Sequence, residues 1–189
     1  SEMCIRDRQY TYHNAKNAET FGVELDVKKN LDFIGLRGLS FVCNAAYIYS
    51  RVRFEEGAPE RDRPLAGQSP YLVNAGFFYQ YDDKGISASL LYNRIGKRIE
   101  SVGVPMQNQD EDIPDIYEMP RNSLDLTFSK KIGKIVEIKA GIQDILNSKV
   151  EYKQFVKLTD DKGGKSEREQ LIRSYRPGVD INIGVSLRF

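Results

Sequence analysis

His13 is the only histidine of the chain, so a Ser-His-Asp or Cys-His arrangement would have to be built around it. No nucleophile elbow accompanies it. A metal site of the His/Cys type is equally unsupported. Cys43 lies in an apolar-rich segment and reads as a small buried or wall-facing hydrophobe, and nothing argues for a disulfide to Cys4. Asp110, Glu111 and Asp112, with Asp115 and Glu118, are acidic enough to attract Ca²⁺. They lack the Asp-x-Asp-x-Asp-Gly spacing, and an ordinary solvated loop fits them better. Lys162-Gly163-Gly164-Lys165 lacks the context of a phosphate loop and reads as a flexible loop tip. Arg94, Lys97 and Arg98 could meet an anionic ligand or lipopolysaccharide phosphate, but a solvated rim explains them better. These residues assign no catalytic group, metal or cofactor, and the expectation is a protein that is not an enzyme.

Composition points away from nucleic acid. Lys plus Arg number 28 against 27 Asp plus Glu, a formal charge of +1 with no basic stripe. A mean hydropathy of -0.50 suits a soluble protein. It suits a transmembrane barrel equally, because alternate residues face a wet interior. No apolar run is long enough for a membrane helix. The 11 tyrosines and 9 phenylalanines fit interfacial girdles or strands in general.

The elements that would carry these residues are strands. From Val179 to Phe189 the residues Val179, Ile181, Ile183, Val185, Leu187 and Phe189 share one parity, while Asp180, Asn182, Gly184, Ser186 and Arg188 share the other. A tilted strand of ~9–11 residues is what crosses a bilayer. Six earlier segments alternate similarly: Thr20 to Lys29, Gly38 to Phe54, Ser69 to Tyr81, Ile86 to about Ile99, Asn122 to Ile132 and Val136 to Ile145. Residues 1–13 fit no periodic pattern and read as an atypical lead-in, with the authenticity of residues 1–8 in doubt; 14–189 form the patterned unit.

The connections alternate too. Asn30 to Arg37, Asp82-Asp83-Lys84-Gly85 and Lys131-Ile132-Gly133-Lys134 are short, whereas Glu55–Gln68, Glu100–Arg121 and Leu146–Tyr175 are long and polar. Outer-membrane barrels alternate in this way, with short periplasmic turns and long external loops. Single-chain bacterial barrels have even strand counts, so about seven strands predict an all-β, antiparallel, open fragment of a larger barrel. On the polar parity Glu24, Asp26, Asp125, Glu137, Lys139 and Arg188 would face the lumen. They could touch a plug or a substrate path there, but cross-strand ion pairing in a hydrated interior is the stronger reading.

Several phrases resemble TonB-dependent outer-membrane receptors. Asn14-Ala15 through Gly22-Val23-Glu24-Leu25, Leu65-Ala66-Gly67-Gln68-Ser69-Pro70 through Asn74, Ser123-Leu124-Asp125-Leu126, Gly141 through Asp144-Ile145-Leu146-Asn147, and Tyr175-Arg176-Pro177-Gly178 are similar to that family's motifs in order and spacing. The C-terminal Phe189, with Leu187, Val185, Ile183 and Ile181, resembles the signal read by the barrel-assembly machinery. The resemblance implies a bacterial outer-membrane location, contact with outer-membrane lipid, and a plugged barrel of about 22 strands. In the full-length protein it implies a plug domain and TonB as partners, for uptake of a ferric siderophore, a cobalamin or an oligosaccharide. The substrate itself, and any accessory surface lipoprotein, stay open. A passive porin segment and a soluble β-sandwich binding module are the rival readings.

Overall fold

A computed structural model describes residues 15–58, 60–104, 113–159 and 165–188. Among these residues, seven strands form one antiparallel sheet: β1 (Asn17–Asn30), β2 (Leu39–Arg53), β3 (Tyr71–Tyr81), β4 (Ile86–Ile95), β7 (Arg121–Ile132), β8 (Val136–Gln143) and β11 (Asp180–Leu187), in the order β1-β2-β3-β4-β7-β8-β11. The sheet is an open meander in which β1 and β11 are the two edges. No helix among the described residues is long and apolar enough to cross a membrane, which says nothing of strands.

Register decides which side chains share a face, because directly opposed residues in an antiparallel pair point the same way. Leu25 opposes Ala45, which opposes Val73. Phe77 opposes Leu90, Leu90 opposes Leu126, Leu126 opposes Ile142, and Ile142 opposes Ile181. The apolar parity of each of the seven strands therefore falls on a single face of the sheet. A slip of one residue in any pair would have turned a whole strand over. Nothing among the described residues covers this face: Val23 is 74% and Ile183 77% exposed. A sandwich would bury such a face against a second sheet.

The short connections lie at one end. Three-residue 3₁₀ turns, Asp32–Ile34 and Asp82–Lys84, close the β1–β2 and β3–β4 hairpins. Gly38 is needed there, since its φ is 77° and an added Cβ would lie 2.2 Å from the Gln80 carbonyl oxygen.

At the other end two of the three long connections are not loops. The expectation of unstructured polar stretches over Glu100–Arg121 and Leu146–Tyr175 is corrected. They hold β6 (Ile116–Glu118), β9 (Val150–Thr159) and β10 (Lys165–Tyr175), while β5 (Arg98–Ser101) takes the end expected to belong to strand four. These four strands form a second antiparallel sheet in the order β10-β9-β6-β5. Strand β5 follows β4, β6 precedes β7, β9 follows β8 and β10 precedes β11, so the second sheet repeats, strand for strand, the order of the wall's last four strands. It is the wall carried onward beyond a break in each strand. The buried side chains among those described, of Ser50, Val52, Ile99, Val150 and Tyr152, sit at the level of this break or beyond it. The sequence gives little sign of these strands because they are short or rich in charged residues and lack the sustained apolar alternation of the wall.

Candidate functional site

The polar face of the wall is a hydrogen-bonded surface. Asp26, Asn44, Asn74, Asn93 and Ser123 stand opposite one another in one row across five strands. Asn44 Nδ2 donates to Glu24 Oε1 at 2.9 Å, and Asn93 Nδ2 donates to Asn74 Oδ1. Ser89 and Thr127 share a hydrogen bond of 2.6 Å, as do Ser87 and Ser129 at 2.7 Å. On the same face Glu137 lies 3.6 Å from Lys139, and Asp125 Oδ1 accepts from the Asp144 backbone N–H at 2.8 Å. Arg188 ends the polar row, its N–H donating to Ile135 O at 2.9 Å. Ile181, Ile183, Val185 and Leu187 lie on the opposite, apolar face; Phe189 lies outside the described residues, as do His13 and Asp110, Glu111 and Asp112.

Where the two sheets join, the polar side holds a cleft of about 390 Å³. Asn93, Ile95 and Gly96 form its lower wall, with Arg98, Glu118 and Tyr152 above and Arg121, Val150, Tyr175 and Pro177 between. Arg98 donates through Nε (2.9 Å) and Nη2 (2.7 Å) to Glu118 Oε2. Arg121 Nη1 reaches Asp144 Oδ2 at 3.1 Å. Arg173, opposite Tyr152 in register, sits 4.1 Å above that ring and 5.8 Å from the ring of Tyr175. Burial first, then the Glu118 carboxylate, pushes the Tyr152 phenol up, so the cleft presents it as a neutral hydroxyl. Two arginines, each matched by a carboxylate, with aromatic rings and amides make a surface for binding a polar ligand.

The backbone at the joint is fixed by a phrase the sequence displays. Asp144 and Asn147 both adopt positive φ, 52° and 43°, a region that Asp and Asn tolerate better than other non-glycine residues. Asn147 Oδ1 accepts from the Gly178 N–H at 3.1 Å, and its carbonyl accepts from Arg176 Nη1 at 3.0 Å. Asp144-Ile145-Leu146-Asn147 is thereby clamped to Arg176-Pro177-Gly178 just before the terminal strand. The other Asp144 oxygen, Oδ1, is buried without a hydrogen-bond partner among the described residues.

The structure separates residues that stand together in sequence. Arg98 enters the cleft, whereas Arg94 and Lys97 lie on the opposite side of the wall. Asp115 and Glu118 are likewise parted in role, since Asp115 Oδ1 accepts from the Gly103 N–H at 2.7 Å while Glu118 holds Arg98. Among the described residues no cluster of His, Cys, Asp and Glu could hold a metal ion. The sequence reading missed Arg121, Asp144, Tyr152, Arg173 and Tyr175 as neighbours. The one available signal was the Asp-Ile-Leu-Asn phrase, whose turn-forming ends mark the joint.

No protein-family model matches the chain, and no solved structure matches it. Among curated proteins, transferrin-binding protein A of Haemophilus influenzae (strain ATCC 51907 / DSM 11121 / KW20 / Rd) is 25% identical over an alignment of 152 residues, and the match takes in 73% of this chain. The chain spans 16% of the length of that relative.

Proposed function

We propose that this chain is the C-terminal part of the barrel of a bacterial outer-membrane receptor of the TonB-dependent type, and that the complete protein imports a scarce nutrient. The observation that carries the reading is the register that puts the apolar parities of all seven strands on one uncovered face and an Asn/Ser/Thr-rich surface on the other. Lipid on one side and a hydrated lumen on the other is the environment that satisfies both. The similarity to a transferrin-binding protein supports a receptor for iron and adds iron held by a host protein to ferric siderophores, cobalamins and oligosaccharides as candidate cargo. In this reading the short turns are periplasmic, the second sheet rises on the external side, and the cleft at the joint lies on the cargo's route along the wall. The work of import would come through TonB acting on a plug.

The test is genetic. Cells lacking the complete gene, and cells lacking TonB, are grown with iron supplied as transferrin or as a siderophore, or with cobalamin or an oligosaccharide as the limiting nutrient. The expected result is one nutrient on which both strains fail and the complemented strain grows. Uptake that persists without TonB would favour a porin, and recovery of the complete protein from the soluble fraction would overturn the membrane reading.

A further inference from the structure

The apolar face of the wall ends, on the side of the second sheet, in tyrosines and cations. Two of the cations are neutralised within the protein: Arg51 Nη2 lies 3.0 Å from Asp62 Oδ2, and Arg53 Nη2 lies 3.5 Å from Glu19 Oε2. Arg94 and Lys97 are different. Arg94 is half-buried, and its guanidinium donates only to neutral oxygens, through Nε to Tyr71 Oη at 3.2 Å and through Nη1 to Asn122 Oδ1 at 2.6 Å. Lys97 is exposed, and its Nζ stands 4.7 Å from the ring centroids of both Tyr117 and Phe155. Among the described residues neither makes an ion pair.

Their faces follow from register. Arg94 opposes Val73 and Asn122, and Val73 is in the row of Leu25 and Ala45, so Arg94 points to the apolar side. In an unbroken strand Lys97, three residues on, would point to the other side. The break between β4 and β5 at Gly96 and Lys97 changes the parity. Arg98 then enters the cleft with Glu118, and Lys97 turns outward with Tyr117 and Phe155. Two cations thus stand one above the other at the edge of the apolar band, oriented by aromatic and amide groups that leave their charge unbalanced. Carboxylates on this side of the second sheet have partners of their own: Lys153 Nζ lies 2.6 Å from Glu169 Oε1 and 3.5 Å from Glu151 Oε2, and Asp115 Oδ1 accepts from the Gly103 N–H.

We propose that Arg94 and Lys97 form a binding site for the phosphate of a phosphorylated lipid headgroup in the outer leaflet. The proposal rests on the membrane reading above, which places the apolar face in lipid and this edge at the external interface. Phosphate suits the pair: a guanidinium already fixed by Tyr71 and Asn122 offers its remaining N–H groups, and an ammonium on a flexible stem closes over the anion. The tyrosines around them, Tyr71 and Tyr92, belong at headgroup level. The counter-charge missing from the protein is supplied by the lipid.

The experiment uses the complete receptor in nanodiscs of phosphatidylcholine doped with lipid A or with lipid A stripped of its phosphates. Wild type should retain phosphorylated lipid A in preference to the stripped form, and excess inorganic phosphate should not displace it. R94Q/K97Q should retain it about tenfold less, R94K/K97R should bind nearly as wild type, and R51Q/R53Q should show no loss. K97Q alone, changing an exposed side chain, should already lower retention several-fold, so the test survives a folding defect in the double variant. Equal retention by wild type, K97Q and R94Q/K97Q overturns the site. Displacement by inorganic phosphate overturns the lipid assignment. A complete protein that does not enter nanodiscs at all would instead refute the membrane reading on which the site depends.

Discussion

The seven-stranded wall and the four-stranded sheet above it share strand order but are held together differently. In the wall each strand separates two unlike surroundings, so every side chain is sorted: Ile181, Ile183, Val185 and Leu187 to one side, Asn182, Gly184 and Ser186 to the other. In the upper sheet the strands lack that sustained sorting, and individual cross-strand pairs add to their backbone ladders. Lys153 with Glu169, Arg173 over Tyr152, and Tyr117 edge-on to Phe155 at 5.7 Å are its main ties. Such pairs contribute about 0.2–1 kcal/mol each, whereas the wall's stability resides in the sorting itself. A strand's visibility in sequence therefore depends on the contrast between its two sides more than on its hydrogen bonds.

The largest expected effect breaks the wall's sorting. Ile183→Arg or Leu126→Arg should cost ~2–4 kcal/mol on folding of the complete protein into lipid vesicles, since a cation would face hydrocarbon. Asn182→Arg and Thr127→Arg, one residue away on the polar face, should cost far less. Urea titrations of the vesicle-folded variants give the comparison directly, and equal losses from both sets would mean that the faces are assigned wrongly.

This contrast also explains what could be read in advance. The terminal strand and the segments over Thr20 to Lys29 and Ser69 to Tyr81 were legible because an alternation of period two, sustained over the length of a bilayer, has few other causes. Strand β10, Lys-Ser-Glu-Arg-Glu-Gln-Leu-Ile-Arg-Ser-Tyr over Lys165–Tyr175, carries no such alternation and contains a register shift between Leu171 and Arg173. It reads as a polar loop and becomes a strand only because β9 lies beside it. The cleft was illegible for a related reason. Its residues come from four separate breaks in strands, and sequence alone does not show that Arg121 and Tyr175 meet.

An intermediate effect is expected at the joint between the regions. Asn147 supplies both a positive φ and a side-chain acceptor for the Gly178 N–H. Asn147→Ala loses both and should destabilise the junction by about 1–3 kcal/mol. Asn147→Gly keeps the conformation and loses only the hydrogen bond, so it should recover part of that. Hydrogen exchange at Gly178 is the readout, and identical behaviour of the two variants would show that backbone conformation contributes nothing at this position.

A smaller effect belongs to the Arg98–Glu118 pair, whose side chains remain 37% and 24% exposed. Water screens them, and a double-mutant cycle of Arg98→Ala and Glu118→Ala should give a coupling of at most about 1 kcal/mol. Cargo binding should respond more strongly than stability, because both side chains line the cleft. A coupling of several kcal/mol would place the pair in a drier setting than the cleft provides.

The smallest effect should separate the two sheets by pH. The hydrogen bond from Lys153 to Glu169 raises the lysine above its ordinary value, and burial raises the phenols of Tyr117 and Tyr152 above theirs. All three hold their protons more tightly when folded. Their contribution is complete below the unfolded values, about 10 for Tyr and 10.4 for Lys, and is lost as pH rises through the folded ones. Raising the pH from 8 to about 11 should therefore loosen the upper sheet first, seen as protease cleavage within β9 and β10 while the strand signal of the wall persists. Lys153→Gln removes one of the three titrations and should make the cleavage depend less steeply on pH. Simultaneous loss of both sheets would mean that the upper sheet is held as firmly as the wall beneath it.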